Sequence, residues 1–261
     1  MAALKGLRAI ALADHDSVSG IDEALATGIR LGVEVVPAIE LSVEYGKFHD
    51  IHLLGYFIDH EDSTFREMLS LFRTRRDERV RAIISRINAR LTTQGKTGIT
   101  YEEVHNLARG AIGRPHVAQV LTARGNAADM QDAFERYLLP CNVPKTYLPM
   151  DKALAEIRRL RGISVLAHPT TVTSDRAVLQ RLITDLAVKG LNGIEVCNNS
   201  CNEEDRCFLE RVADGSGLLK TGGSDYHGFD SDIEMGCIRG HQAVPYSLVE
   251  AMKQFRINHD Y

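Results

Sequence analysis

Ile163-Ser-Val-Leu-Ala167 runs directly into His168-Pro169. A short apolar run closed by turn residues reads as a buried parallel strand. A titratable side chain just past its end then lies where the strand leaves the core. The pattern recurs along the chain. Ala9-Ile-Ala-Leu-Ala13 runs into Asp14-His15-Asp16, and Val33-Glu-Val-Val-Pro-Ala-Ile39 runs into Glu40. Gly193-Ile-Glu-Val-Cys197 runs into Asn198-Asn199, and Leu218-Leu-Lys-Thr221 passes through a Gly pair into Ser224-Asp225-Tyr226-His227. In an α/β barrel the C-terminal ends of such strands converge on one mouth, where the active site sits. Carboxylates and imidazoles gathered there from distant segments are what a site for two or more divalent metals requires.

Size and composition fit this reading. A chain of 261 residues allows one large α/β domain, alone or with an insert. Hydrophobic residues make up 44% and charged residues 25%, enough for a packed core. The net charge of -4 argues against general nucleic-acid binding, so stable DNA binding is not expected. No apolar run is long enough to span a membrane, and Met1-Ala-Ala-Leu-Lys-Gly-Leu-Arg8 lacks a signal-peptide core. Five Cys without a CxxC pair suit free thiols in a reducing cytosol, so a cytoplasmic location is expected. Cys197 and Cys201 could ligate a metal, but zinc sites usually show tighter spacing. The sequence leaves the oligomeric state open.

The pattern changes after Phe57. Residues 9–57 read as strand, helix, strand, turn, strand, with a helix from Ser19 to Leu31 and a turn at Gly46 before His52-Leu-Leu-Gly-Tyr-Phe57. Asp62-Ser63 then caps a long helix with apolar positions Phe65, Met68, Leu69, Phe72, Val80, Ile83, Ile84, Ile87 and Leu91. Thr100-Tyr-Glu-Glu103 has the form of a capping box, and Arg114-Pro115 opens a further helix. Residues 62–149 therefore form an all-helical insert, and 1–61 with 150–261 form the α/β domain.

Ala13-Asp-His-Asp16, Ala38-Ile-Glu40, His52-Leu-Leu-Gly-Tyr56, Leu166-Ala-His-Pro169 and Gly223-Ser-Asp-Tyr-His227, in this order, resemble the PHP (polymerase and histidinol phosphatase) family of metal-dependent phosphoesterases. Gly113-Arg-Pro-His116 and Pro144-Lys-Thr-Tyr-Leu-Pro149 resemble the helical insert of its stand-alone bacterial branch. That branch includes nucleoside 3',5'-bisphosphate phosphatases and 5'-to-3' exoribonucleases acting on short RNA. The resemblance implies a distorted (β/α)7 TIM-like barrel and two to three divalent ions: Mn, Fe or Zn. It also implies His15, Glu40, His52, His168, Asp225 and His227 as metal ligands, with Glu40 bridging two metals. The family opens with a His-x-His strand and an Asp-Gly turn, neither of which stands upstream of Ala9. Met1 to Gly6 reads as the end of the helix after that strand, so a fragment or misplaced start is expected.

Each residue also has a plainer reading. His15 could belong to an Asp-capped loop. Glu40 could face solvent, although an unpaired carboxylate after so apolar a run would be costly. His52 could be a core histidine bonded to backbone. Pro169 favours an extended or turn geometry at His168. Asp225 and His227, two apart, lie on one side of an extended segment, but Gly222-Gly-Ser-Asp could be an ordinary turn. Asn199 holds substrate, orients a ligand, or fills a left-handed turn position. Arg114 and His116 reach the substrate phosphate from a lid, or Arg114 caps a neighbouring helix. Arg73, Arg75, Arg76, Arg79 and Arg81 form either a solvated face or a positive lid. His168, Asp225 and His227 are the candidate catalytic groups, and the choice between His227, His168 and a metal-held water as proton donor stays open. The expected function is hydrolysis of phosphate esters in 3',5'-bisphosphate nucleotides or at short RNA 5' ends. The alternatives are a histidinol-phosphate-type phosphatase and a catalytically impaired PHP scaffold.

Overall fold

A computed structural model of the chain describes residues 1–108, 111–228, 233–238 and 242–259. The chain forms two compact units, Met1–Phe65 with Tyr147–Tyr261, and Arg66–Thr146.

The first unit is built on a seven-stranded sheet. Its strands are β1 (Ala9–Leu12), β2 (Glu34–Tyr45), β3 (Phe48–Tyr56), β4 (Leu148–Pro149), β5 (Ile163–Leu166), β6 (Gly193–Cys197) and β7 (Leu219–Gly222). They run in the order β1-β2-β3-β5-β6-β7, with β4 beside β2. The five apolar runs expected as parallel strands, β1, β2, β5, β6 and β7, share one direction, and β3, entered through the Gly46 turn, pairs antiparallel with both β2 and β5. Only Gly46-Lys47 separates β2 from β3, and Gly46 has φ 58°. A two-residue connection folds the chain back into a hairpin; a parallel crossover needs a dozen residues or more. The remaining pairs β1–β2, β2–β4, β5–β6 and β6–β7 are parallel. Ile39, Leu41, Ile51, Leu53, Val165 and Ile194 are almost completely buried along these strands. Each such side chain contributes about 1.5–3 kcal/mol of hydrophobic stabilisation.

Helix α1 (Ile21–Leu31) links β1 to β2. The second unit holds most of α2 (Ser63–Thr93), then α3 (Tyr101–Leu107), α4 (Arg114–Ala123) and α5 (Met130–Ala133). Val80, Ile83, Ile84, Ile87 and Leu91 recur at helical spacing in α2 and bury one face against Val104, Val117, Leu121 and Tyr137. Thr100 and Glu103 make the capping box that starts α3, and Pro115 occupies the first turn of α4. Four further helices, α6 (Met150–Arg159), α7 (Arg176–Val188), α8 (Glu203–Ser216) and α9 (Ser247–Asn258), belong to the first unit. Met252 of α9 packs with Val36, Ala38, Leu54, Tyr56, Ile163 and Val165 of the sheet.

Asp62 starts α2 by accepting the Phe65 N–H at 2.8 Å. It also takes both terminal nitrogens of Arg159, at 2.8 and 2.9 Å, which ties the helix start to α6. The Arg159 guanidinium and the Phe65 N–H lower the Asp62 carboxyl to about 2. A depressed carboxyl stabilises the fold above its unfolded pKa, and that contribution is lost as pH falls from 3.8 towards about 2. Arg159→Gln should therefore lower stability at neutral pH and flatten the stability curve between about pH 4 and 2. Urea denaturation at a series of pH values reads this directly; parallel curves for the two proteins would refute it.

Candidate metal centre

Each candidate ligand is carried by a strand or by the residues just after one. Beyond Leu12 the first strand is prolonged by one bridge: Glu40 N–H donates to the Asp14 carbonyl (3.2 Å) and Asp16 N–H to the Glu40 carbonyl (3.0 Å). That bridge sets His15 beside Glu40. In the β2–β3 hairpin Glu40 stands opposite Leu54 and Ser42 opposite His52, so Glu40 and His52 are diagonal neighbours on one face. Ala167 N–H donates to the His52 carbonyl at 3.0 Å, which brings the end of β5, and His168 with it, alongside. Asp225 and His227 follow β7.

Three donor atoms face a common point. Glu40 Oε1 lies 2.9 Å from His52 Nδ1 and 3.3 Å from His168 Nε2, and the two ring nitrogens are 3.1 Å apart. Donors that share one ion at about 2.0–2.2 Å stand roughly 3.0–3.6 Å from each other. The other Glu40 oxygen, Oε2, lies 3.5 Å from His15 Nδ1. Among the described residues, His15, Glu40 and His52 offer ligand atoms within 4.8 Å of one another. The His15 ring contacts His52 (centroids 4.8 Å) and stacks on His227 (5.9 Å), and His227 Nδ1 is 3.7 Å from Asp225 Oδ1. His15, Glu40, His52, His168, Asp225 and His227 thus form one continuous cluster. Its oxygen and imidazole donors suit Mn, Fe or Zn.

The electrostatics fit a site kept for cations. Burial alone would push the Glu40 carboxyl up, but hydrogen bonds from His168 and His52 and the charge of His15 hold it well below the usual carboxylate range. Burial would lower the His168 imidazole, yet the hydrogen bond and charge of Glu40 raise it. Thr171 Oγ1 donates to the His168 carbonyl (2.9 Å), so it is an acceptor for His168 Nδ1–H, also at 2.9 Å. That contact orients the ring through Nδ1 and leaves Nε2 facing Glu40, where its proton would give way to a bound cation. Burial raises the Tyr56 phenol, helped by the charges of Glu195, Glu40 and Asp225.

The backbone is strained at the same places. Asp16, His168 and Asp225 have φ of 52°, 29° and 51°. Non-glycine residues adopt such angles at a cost of about 1–3 kcal/mol, and only where the surroundings enforce it. The Asp16 carboxylate accepts the Ser42 N–H at 2.9 Å, and the Asp225 carbonyl lies 2.9 Å from His227 Nδ1. His168 N–H donates to Glu195 Oε2 at 2.8 Å.

Glu195 is the residue that the sequence reading missed. It sits in β6 between Ile194 and Val196, and burial pushes its carboxyl up to about 7, with the His168 N–H only partly offsetting this. An acid inside so apolar a strand was the available signal. Asn199 donates to the Ser224 carbonyl at 2.6 Å and so tethers the segment that carries Asp225. Arg114 and His116 belong to the helical unit. There the Arg114 guanidinium lies 5.9 Å from the Phe134 ring, and His116 Nδ1 accepts the Gly113 N–H at 3.1 Å. All five cysteines are free, with Cys197 and Cys201 buried.

Comparison with known proteins supplies the family. The chain is 31% identical over 230 residues to a 3',5'-nucleoside bisphosphate phosphatase of Chromobacterium violaceum, covering 87% of this chain and 79% of that protein. This chain belongs to the PHP phosphoesterases. A second PHP relative is a 5'-3' exoribonuclease of Haemophilus influenzae, 28% identical over 89% of this chain and 84% of that one. Among solved structures, a metal-dependent phosphoesterase of Bifidobacterium adolescentis superposes with a TM-score of 0.82 at 25% identity, covering 98% of this chain and 88% of that one. No family model matches the chain. The protein is a hydrolase of phosphoric esters with the α/β PHP fold, and it depends on divalent metal. No helix among the described residues is long and apolar enough to cross a membrane.

Proposed function

We propose that the protein hydrolyses phosphate esters of nucleotides, either 3',5'-bisphosphates or the 5' ends of short RNA, at a centre of two to three Mn, Fe or Zn ions. The observation that carries the reading is the division of labour at Glu40, whose Oε1 faces His52 and His168 while Oε2 faces His15. A carboxylate so placed suits a bridge between two ions. His52 and His168 would complete one position, and His15, Asp225 and His227 would serve the others. When bound, divalent ions supply charge neutralisation for the phosphate and activation of water as nucleophile.

The chain's own groups orient these parts. Thr171 orients the His168 ring, and Asn199 tethers the Asp225 segment. The relatives' names, a bisphosphate phosphatase and an exoribonuclease, support the nucleotide class of substrate. In the helical unit Arg114 and His116 recognise substrate phosphate, since a guanidinium fork binds two phosphate oxygens at once. The free cysteines fit a cytoplasmic enzyme.

The test is release of inorganic phosphate from a nucleoside 3',5'-bisphosphate, and of mononucleotides from a short 5'-phosphorylated RNA, with Mn²⁺ and with chelator. Chelator-sensitive turnover of either substrate supports the reading; turnover of histidinol phosphate alone would replace it. Arg114→Ala should raise KM for the nucleotide by a factor equivalent to roughly 1.5–3 kcal/mol, the worth of a charge-assisted hydrogen bond, with metal content unchanged. Unaltered kinetics, or loss of metal, would remove Arg114 from the substrate site.

A further inference from the structure

Glu195 is a buried acid with no place among the candidate ligands. Its carboxyl is enclosed on two sides. Oε2 accepts the His168 N–H at 2.8 Å, and Oε1 lies 3.4 Å from where a Cβ on Gly223 would stand. Withdrawing a carboxyl from water into an apolar strand is costly, and an aliphatic side chain would fill the same volume without that cost. The one backbone N–H it accepts belongs to a residue at φ 29° and ψ 60°, a conformation that needs enforcement. Rotation of the backbone at His168 would carry Nε2 away from Glu40 and His52.

We propose that Glu195 is a positioning residue that holds the His168 backbone in its strained turn and so keeps Nε2 on the metal position shared with Glu40 and His52. The role rests on the metal-centre reading above. It requires an acceptor oxygen at this place and no negative charge. Glu195→Gln keeps the acceptor, whereas Glu195→Leu keeps the volume and removes it.

Mn²⁺ binding to the full chain, followed by the electron paramagnetic resonance of free Mn²⁺, separates the two cases. Wild type and Glu195→Gln should bind with the same stoichiometry and closely similar Kd. Glu195→Leu should weaken one position by about 10–100-fold, the usual effect of removing a group that orients a ligand. In the metal-free chain the His168 amide should be protected from hydrogen exchange in wild type and in Glu195→Gln, and exposed in Glu195→Leu. Wild-type affinity in Glu195→Leu would overturn the role, and so would a Glu195→Gln defect as large as that of Leu, which would mark the charge as the working feature. If Glu195→Leu does not fold, Glu195→Asp decides, because its shorter side chain should not reach the amide; unchanged affinity there overturns the proposal. Failure of the wild-type chain to bind Mn²⁺ would instead remove the metal centre itself, and this role with it.

Discussion

Replacing Glu40 with Gln should abolish phosphoesterase turnover and remove bound metal while the chain stays folded. The side chain is almost fully buried, and its two oxygens face three imidazoles. Gln has the same shape but presents an amide nitrogen to His15 or to the His52–His168 pair, where a lone pair is needed. Removal of a residue that merely orients a ligand costs about 10–100-fold in affinity or activity, so loss of a ligand facing both halves of the cluster should exceed about 100-fold. Metal analysis of the purified variant and turnover of a nucleoside bisphosphate measure the two effects, and circular dichroism reports the fold. Activity within tenfold of wild type would show that Glu40 is not at the centre of the chemistry.

Gly222→Ala should be the most damaging single-methyl change near the site. A Cβ at this position would stand 2.6 Å from the Cys197 carbonyl oxygen and 2.7 Å from the Cys197 Cβ. The first of these is backbone, held by the β6–β7 pairing and by the Gly223 N–H that donates to the same oxygen at 3.0 Å. The strands must part to admit the methyl group, at a cost of about 1–3 kcal/mol, or a thermal midpoint lowered by roughly 2–12 °C. Because Ser224 to His227 follow directly, metal affinity should fall as well. A calorimetric scan with and without Mn²⁺ tests both; an unchanged midpoint would mean that the strands separate without penalty.

The cluster was legible because chemistry and burial conflict sharply at strand ends. His15, Glu40, His168, Asp225 and His227 each interrupt or follow an apolar run, and such interruptions are conspicuous in a sequence. His52 was less distinct, since a core histidine within a strand is ordinary; the family resemblance singled it out. The direction of β3 was not readable from its apolar run, which carries no sense of direction. Gly46-Lys47 did carry it, through a connection too short for any crossover. Glu195 was less conspicuous because it lies inside an apolar run, whereas the other acids and histidines of the cluster mostly stand at the ends of runs. An orienting role was one of the readings open for Asn199, but its partner, Ser224, was not legible, since that contact depends on how distant strand ends meet.

Three of the six non-glycine residues with positive φ among the described residues, Asp16, His168 and Asp225, lie at the cluster and bear on how this protein could be engineered. Glycine or asparagine would sit more comfortably at each, and relief of such strain commonly raises stability. A search guided by thermal tolerance alone would therefore be drawn to these positions and would erase two of the candidate ligands. Libraries aimed at a hardier enzyme should hold all three fixed and seek their gains elsewhere, as on the solvent side of α7, where Val188 is largely exposed.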